Sequence, residues 1–203
     1  MTTLYQLKPR FQALLRPGVR SLHRQGITAN QVTLSACVVS LALGVGLYAL
    51  GAQGVALLAI PLWMLLRMAL NAVDGMLARE HGQASRLGAL LNELTDVASD
   101  AALYLPLALL QPLQPVWVGA FVLLAALSEL AGALGPQVGA SRRYDGPMGK
   151  SDRALCVGAL ACWAAYAPLP PAAAACMPVL CALTAWTVFN RVRGALAETG
   201  AAR

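Results

Sequence analysis

The sequence predicts an all-α integral membrane protein with six transmembrane helices preceded by an amphipathic interfacial helix, both termini cytoplasmic. Three observations predict it. Of 203 residues, 58% are hydrophobic and only 12% charged, with a mean hydropathy of +0.62; soluble domains use roughly 45–50% apolar residues. The apolar residues fall into runs near the ~20 needed to cross a hydrocarbon core of about 30 Å. The Lys and Arg residues gather in alternate connections, as cytoplasmic loops require.

Residues 1–27 come first. Leu4, Leu7, Phe11, Leu14, Leu15, Val19 and Leu22 recur at three- and four-residue steps with basic residues between them, the pattern of a helix lying in the interface. A break is expected near Pro9 or Pro17, because proline removes a helical donor. The segment has no uninterrupted apolar stretch, so a cleavable signal peptide is not expected. Residues 28–203 form the membrane domain, without internal repeat or linker. Its spans are expected over 31–50, 55–78, 87–110, 116–134, 154–167 and 172–189. The fifth is short and stops at Pro168, Pro170 and Pro171.

Lys8, Arg10, Arg16, Arg20 and Arg24 precede the first span, and Arg79 and Arg86 bracket the second connection. Arg142, Arg143, Lys150 and Arg153 fill the fourth, and Arg191, Arg193 and Arg203 follow the sixth span, while the other three connections carry no charge. The net charge of +6 is thus expected on the cytoplasmic face of an inner membrane. There it attracts anionic lipids or phosphorylated substrates, and no nucleic-acid partner is expected. Cys37, Cys156, Cys162, Cys176 and Cys181 all fall in predicted spans with no C-x-x-C pair, and read as packing residues.

Charged side chains inside a membrane cost about 2.5–3.5 kcal/mol each on insertion scales, so they mark function. The second span carries Arg67, Asn71 and Asp74 at spacings of four and three, which place them on one helix face. The third carries Gly88, Asn92, Asp96 and Asp100 at successive steps of four. Oxygen ligands reaching inward from two adjacent helices, with no His or Cys among them, suit Mg²⁺ or Mn²⁺ rather than zinc. Gly75, Ala78 and Gly88 leave room for a phosphate-bearing group to approach backbone, with Arg79 as its charged partner. The alternative is ordinary bundle packing, in which small residues let helices approach and acids hydrogen-bond across the interface.

These residues resemble the CDP-alcohol phosphatidyltransferase family, whose signature reads D-x-x-D-G-x-x-A-R, eight residues, then G-x-x-x-D-x-x-x-D. The chain reads Asn71-x-x-Asp74-Gly75-x-x-Ala78-Arg79, eight residues, then Gly88-x-x-x-Asn92-x-x-x-Asp96. Asn30 and Thr33 in "TANQVT", Glu129 in "SELAG" and Gly149-Lys150 in "GPMGKSDRA" are similar to further family elements. The resemblance implies a six-helix membrane enzyme, usually dimeric, that moves a phosphatidyl group from CDP-diacylglycerol to an alcohol and releases CMP. By position it makes Asn71, Asp74, Asn92 and Asp96 the ligands of one or two Mg²⁺ or Mn²⁺ ions, with Asp96 also the general base. It makes Gly75, Ala78, Arg79 and Gly88, with Asn30 and Thr33, the cradle of the cytidine diphosphate.

The first and third acids of the signature are asparagines here. An amide oxygen still ligates a hard cation, but two lost carboxylates weaken a two-ion site. Glu93 and Asp100 are candidate compensating acids, and a frame shifted to Asp96 and Asp100 ranks second. The basic residues Arg142, Arg143, Lys150, Arg153 and Arg191 are expected to form the acceptor pocket, which suits a phosphorylated alcohol; glycerol 3-phosphate leads, with inositol phosphate and serine behind it. A catalytically silent homologue that binds lipid or a partner remains an alternative. A transporter is less consistent, because "AALYLPLALL" at 101–110 offers no continuous polar route across the membrane.

Overall fold

The computed structural model describes residues 4–200, with side chains from Phe11 onward. Seven α-helices and four short 3₁₀ turns make up the fold among the described residues, without strands. Helix α1 spans Leu4–Arg24. It runs through Pro9 and Pro17 without the break expected from the sequence. Each proline costs one backbone hydrogen bond, and a helix with one face open to its surroundings can satisfy the freed carbonyl outside the protein.

Helix α2, Ala29–Ala49, starts in a capping box. The Gln31 amide donates to Thr28 Oγ1 at 3.2 Å while the Thr28 amide donates to Gln31 Oε1 at 2.8 Å, satisfying two donors that a helix start leaves orphaned. A 3₁₀ turn over Gly54–Leu58 leads into α3, Ala59–Glu80. Ser85 caps α4, Arg86–Tyr104, by accepting from the Gly88 amide at 3.0 Å. The expected third span continues as a 3₁₀ turn, Leu105–Leu109, because Pro106 ends the α-helical ladder. Helix α5 runs Pro115–Leu134, α6 Lys150–Tyr166 and α7 Cys176–Gly200.

Hydropathy located the apolar middles of α6 and α7 but not their ends. Helix α6 starts four residues before the apolar run, where Asp152 Oδ2 accepts from the Gly149 amide at 2.9 Å, and α7 extends past Phe189 to Gly200. Among the described residues four segments are long and apolar enough to cross a membrane: Ala29–Ala49, Gly54–Glu80, Pro115–Val138 and Pro171–Gly200. The other two, α4 and α6, carry charged residues of the site described below. Large apolar side chains such as Val45, Leu62, Leu65, Val116 and Trp186 stand exposed around the bundle, a surface that lipid covers and water would not tolerate.

Helix α2 packs most extensively on α4, and α5 on α7. The closest approach of the first pair is at Gly44, where an added Cβ would lie 2.2 Å from the Ala102 carbonyl oxygen. Small residues that admit such contact are the means by which helices associate in lipid, where apolar burial alone gives no preference. The main core gathers Leu57, Ile60, Leu103, Tyr104, Phe121, Val157 and Met177. A second cluster joins Val19 of α1 to Ala29 and Val32 of α2 and to Val73, Met76 and Leu77 of α3. Arg16 adds an ion pair to Glu80 at 3.0 Å, and the Arg16 guanidinium is held above its usual value by that hydrogen-bonded carboxylate. Helix α1 is therefore fastened along α3 and α2 beside the polar end of the bundle.

Candidate active site

Three helix ends meet around a cavity of about 410 Å³. The capped start of α2 contributes Ala29, Asn30 and Thr33; the last turns of α3 contribute Asn71, Asp74, Gly75, Ala78 and Arg79; the start of α4 contributes Gly88, Ala89, Asn92 and Glu93, with Gln83 to Ser85 from the connection. The walls are thin where the sequence places small residues. A Cβ on Gly88 would come within 2.8 Å of Asn30 Oδ1, and one on Gly75 within 2.8 Å of Arg79 Nη2, because the Arg79 side chain folds back over that glycine. Arg79 is exposed and, among the described residues, has no acid within ion-pair distance. Asp74 is buried and accepts from Thr33 Oγ1 at 2.7 Å, which fixes one carboxylate oxygen and ties α2 to α3. Gln83 Oε1 accepts from the Ala29 amide at 2.7 Å, closing the rim.

Deeper in the bundle lies a chain of ion pairs. Asp96 Oδ1 accepts from Arg67 Nη2 at 2.9 Å and from the Asn71 amide nitrogen at 3.3 Å, and Asp96 Oδ2 is 2.6 Å from Lys150 Nζ. Arg67 also reaches Asp100 Oδ1 at 2.5 Å and the Asp96 carbonyl at 3.1 Å. Arg153, fully buried, donates to Glu129 at 2.7 Å, Ser128 Oγ at 2.9 Å and the Met148 carbonyl at 3.2 Å, and lies 3.7 Å from Asp100. Arg191 donates to the Ser128 carbonyl and sits 3.5 Å from Glu129. Taking these charges from water is tolerable only because each is paired and hydrogen-bonded. Asn71 connects the two regions: it lines the cavity and also a groove of about 580 Å³ between α3 and α6. That groove is walled by Met64, Leu65, Met68, Ala154, Leu155 and Gly158, with Arg67, Asp100 and Lys150 at its polar end.

The cavity collects every residue that the resemblance assigns to the nucleotide cradle, together with Asn71, Asp74 and Asn92. Asp96 sits one layer deeper, held to Asn71. Glu93 lines the cavity and is clamped by Arg142 in a bidentate pair; this hydrogen-bonded pairing raises the Arg142 guanidinium above its usual value. Asp100 faces the ion chain instead of the cavity. The five basic residues expected at the acceptor pocket do not form one open cluster. Lys150 meets Asp96, Arg153 and Arg191 are buried against Glu129, and Arg143 turns away to Asp145 and Glu198 near the end of α7. Hydrogen bonds from Arg143 hold the Asp145 carboxyl below the usual carboxylate range.

Sequence reasoning left three participants without a role. Arg67 was placed on the correct face, but its partners depend on how α3 and α4 are rotated against each other. Gln83 and Ser85 lie in a connection with no periodicity to read, and only the S-x-x-G step into α4 hints at the cap.

Comparison with known proteins gives the wider context. A family model described as CDP-alcohol phosphatidyltransferase matches residues 26–190. The inner membrane protein YnbA of Escherichia coli is 43% identical over 198 residues, covering 96% of both chains. Crystal structures of phosphatidylinositol phosphate synthase from Mycobacterium tuberculosis are similar in fold at 24% identity. The one with CDP-DAG bound has a TM-score of 0.74 over 91% of this chain and 94% of that one, and the one with manganese and citrate 0.76 over 91% and 90%. The match extends well beyond the signature helices, across most of the chain from the capped start of α2 into α7. An integral membrane bundle with this spacing of Asn71, Asp74, Gly75, Arg79, Gly88, Asn92 and Asp96 belongs to the CDP-alcohol phosphatidyltransferase family.

Proposed function

We propose that the chain transfers the phosphatidyl group of CDP-diacylglycerol to a small alcohol and releases CMP. The observation that carries this reading is the cavity at the meeting of α2, α3 and α4, which gathers Asn30, Thr33, Asn71, Asp74, Gly75, Ala78, Arg79, Gly88 and Asn92. Bare backbone at Gly75 and Gly88 admits the diphosphate, and Arg79 pairs with it as a charged donor free of other acids. The apolar groove between α3 and α6 suits an acyl chain of the same lipid. The acceptor hydroxyl attacks the β-phosphorus in line; its new bond to phosphorus forms as the bond to CMP breaks, and its proton passes to Asp96 Oδ2 as Lys150 leaves that oxygen for the acceptor's phosphate. A positioned carboxylate in that role contributes about 10²- to 10⁴-fold.

The residues fit one hard divalent ion, Mg²⁺ or Mn²⁺, held by Asp74 with the amide oxygens of Asn71 and Asn92. Bound there, it supplies charge neutralisation for the diphosphate. Among the described residues no three His, Cys, Asp or Glu side chains converge, so the ligand set is mixed carboxylate and amide.

The membrane arrangement we infer has six crossings, with residues 28–203 as the catalytic membrane domain and residues 1–27 as the interfacial segment. Both termini and the active site face the cytoplasm of an inner membrane, and two copies associate as a homodimer. The distribution of Lys and Arg supports the orientation. For the acceptor, Lys150 beside Asp96 and Arg142 at the cavity rim favour a phosphorylated alcohol, with glycerol 3-phosphate the first to test. A second reading, a silent member that binds the nucleotide-lipid without transfer, is favoured by one observation: all five expected acceptor cations already hold acids or buried oxygens. The experiment is CMP release by purified protein given CDP-diacylglycerol, Mg²⁺ or Mn²⁺ and a panel of alcohols. Release with glycerol 3-phosphate supports the first reading, and nucleotide-lipid binding with no release under any acceptor supports the second.

A further inference from the structure

The four signature positions of this chain carry two negative charges, on Asp74 and Asp96, since Asn71 and Asn92 are neutral. Two cations stand directly against one of them. The Arg67 guanidinium spans from Asp96 Oδ1 at 2.9 Å to Asp100 Oδ1 at 2.5 Å, and Lys150 Nζ takes the other oxygen of Asp96 at 2.6 Å. Arg67 is nearly inaccessible and comes from α3, four residues before Asn71. Both carboxylate oxygens of Asp96 are thus engaged by positive charge from inside the protein. Asn71 donates its amide nitrogen to the same carboxylate, which leaves its carbonyl oxygen without a partner among the described contacts. A cation bridging Asp96 would have to sit beside the guanidinium and the ammonium, and its field would oppose both. Among the described residues no cation lies within ion-pair distance of Asp74, whose side-chain partner is the neutral hydroxyl of Thr33.

We propose that Arg67, with Lys150, occupies electrostatically the place of a second divalent ion, so that the site accepts a single ion, at Asp74, and Arg67 is what excludes the other. The proposal concerns the cation complement of the site proposed above and rests on that assignment of Asp74 and Asp96. It makes Arg67 a positioning residue: it acts through Asp96 rather than on the substrate. Asn71 and Asn92 follow from the same arrangement, because additional acids next to Asp74 are needed only when two ions must be balanced.

The test counts ions directly, by Mn²⁺ titration of detergent-purified full-length protein followed by electron paramagnetic resonance of the free ion. Wild type is expected to bind one Mn²⁺ per chain. The Asn71→Asp/Asn92→Asp double variant restores the carboxylates but keeps Arg67, and is expected to bind one ion at least tenfold more tightly. Adding Arg67→Gln to that double variant is expected to raise the count to two, whereas adding Arg67→Lys keeps it at one. Two ions or none in wild type, or two in the double variant with Arg67 intact, overturns the proposal; these counts need no Arg67 variant and stand even if Arg67→Gln fails to fold. A count of one in a folded triple variant with Gln at 67 also overturns it. The outcome is separate from the function reading, because a chain with the expected counts that releases no CMP would refute catalysis and leave the ion assignment in place.

Discussion

At Gly44 helix α2 lies directly against the α4 backbone, and replacing it by alanine has a calculable consequence. The added Cβ would lie 2.2 Å from the Ala102 carbonyl oxygen, 2.7 Å from the carbonyl carbon and 3.1 Å from the Ala102 Cβ. Two of the three are backbone atoms and cannot swing aside, so α2 and α4 must separate by roughly 1 Å. Overpacking of this kind costs about 1–3 kcal/mol or more, partly offset by the gain of about 0.5–1 kcal/mol when alanine replaces a helical glycine. Gly46, two residues on and half-buried, has nothing within 4 Å of the same added atom, so Gly46→Ala gains the propensity without the collision. With about 2–4 °C per kcal/mol for a chain of this size, Gly44→Ala is expected to lower Tm by roughly 2–8 °C in detergent, and Gly46→Ala to raise it by roughly 1–4 °C. Because α2 also carries Asn30 and Thr33, and α4 Gly88 and Asn92, Gly44→Ala should weaken CDP-diacylglycerol binding as well. Equal melting temperatures for the two variants would refute the close-approach argument.

Other consequences follow from the ion chain and the rim. Arg153→Met would leave the largely buried Glu129 without its close guanidinium, at about 3–5 kcal/mol, and is expected to lower Tm by roughly 6–20 °C or to abolish the folded peak in size-exclusion chromatography. Arg79→Ala touches an exposed side chain, so thermal stability should stay within about 0.5 kcal/mol; loss of a charge-assisted contact worth about 1.5–3 kcal/mol should weaken CDP-diacylglycerol binding roughly 10- to 150-fold, as read by titration. The Asp145 carboxyl is held below its usual value by Arg143, so its contribution is fully present above the unfolded pKa near 3.9. It is lost as pH falls through the lower folded value. Hydrogen-exchange protection of residues 139–149 should therefore be flat from pH 7 to about 5 and drop only below about 4, and Arg143→Ala should remove the difference.

The parts of this molecule that could be read from the chain are those set by one dimension. Hydropathy found the four helices that, among the described residues, are long and apolar enough to cross a membrane, because apolar run length reports bilayer thickness directly, and the steps of three and four placed Asn71 with Asp74 and Asn92 with Asp96 on common faces. Thr33 and Asp74, 41 positions apart, line one cavity and share a hydrogen bond. What escaped depends on rotation about helix axes. Lys150 was singled out for a phosphate, yet its partner is the Asp96 carboxylate. Arg67 was recognised as misplaced charge without its two acids. The α6 start was misjudged by four residues because Asp152 supplies a cap, which hydropathy cannot sense. Pro9 and Pro17 suggested a break that α1 does not take, since a helix resting on α3 through Val19 gains enough contact to continue past a missing donor.

The bond between Arg67 and the two aspartates joins consecutive helices, α3 and α4, linked by only five residues. Both sides of this pairing precede Lys150 and Arg153 in the chain. The charges of Asp96 and Asp100 therefore have a counterion within their own helical hairpin, which lowers the cost of burying them. The later helices add Lys150 and Arg153 to acids that the hairpin already pairs by itself.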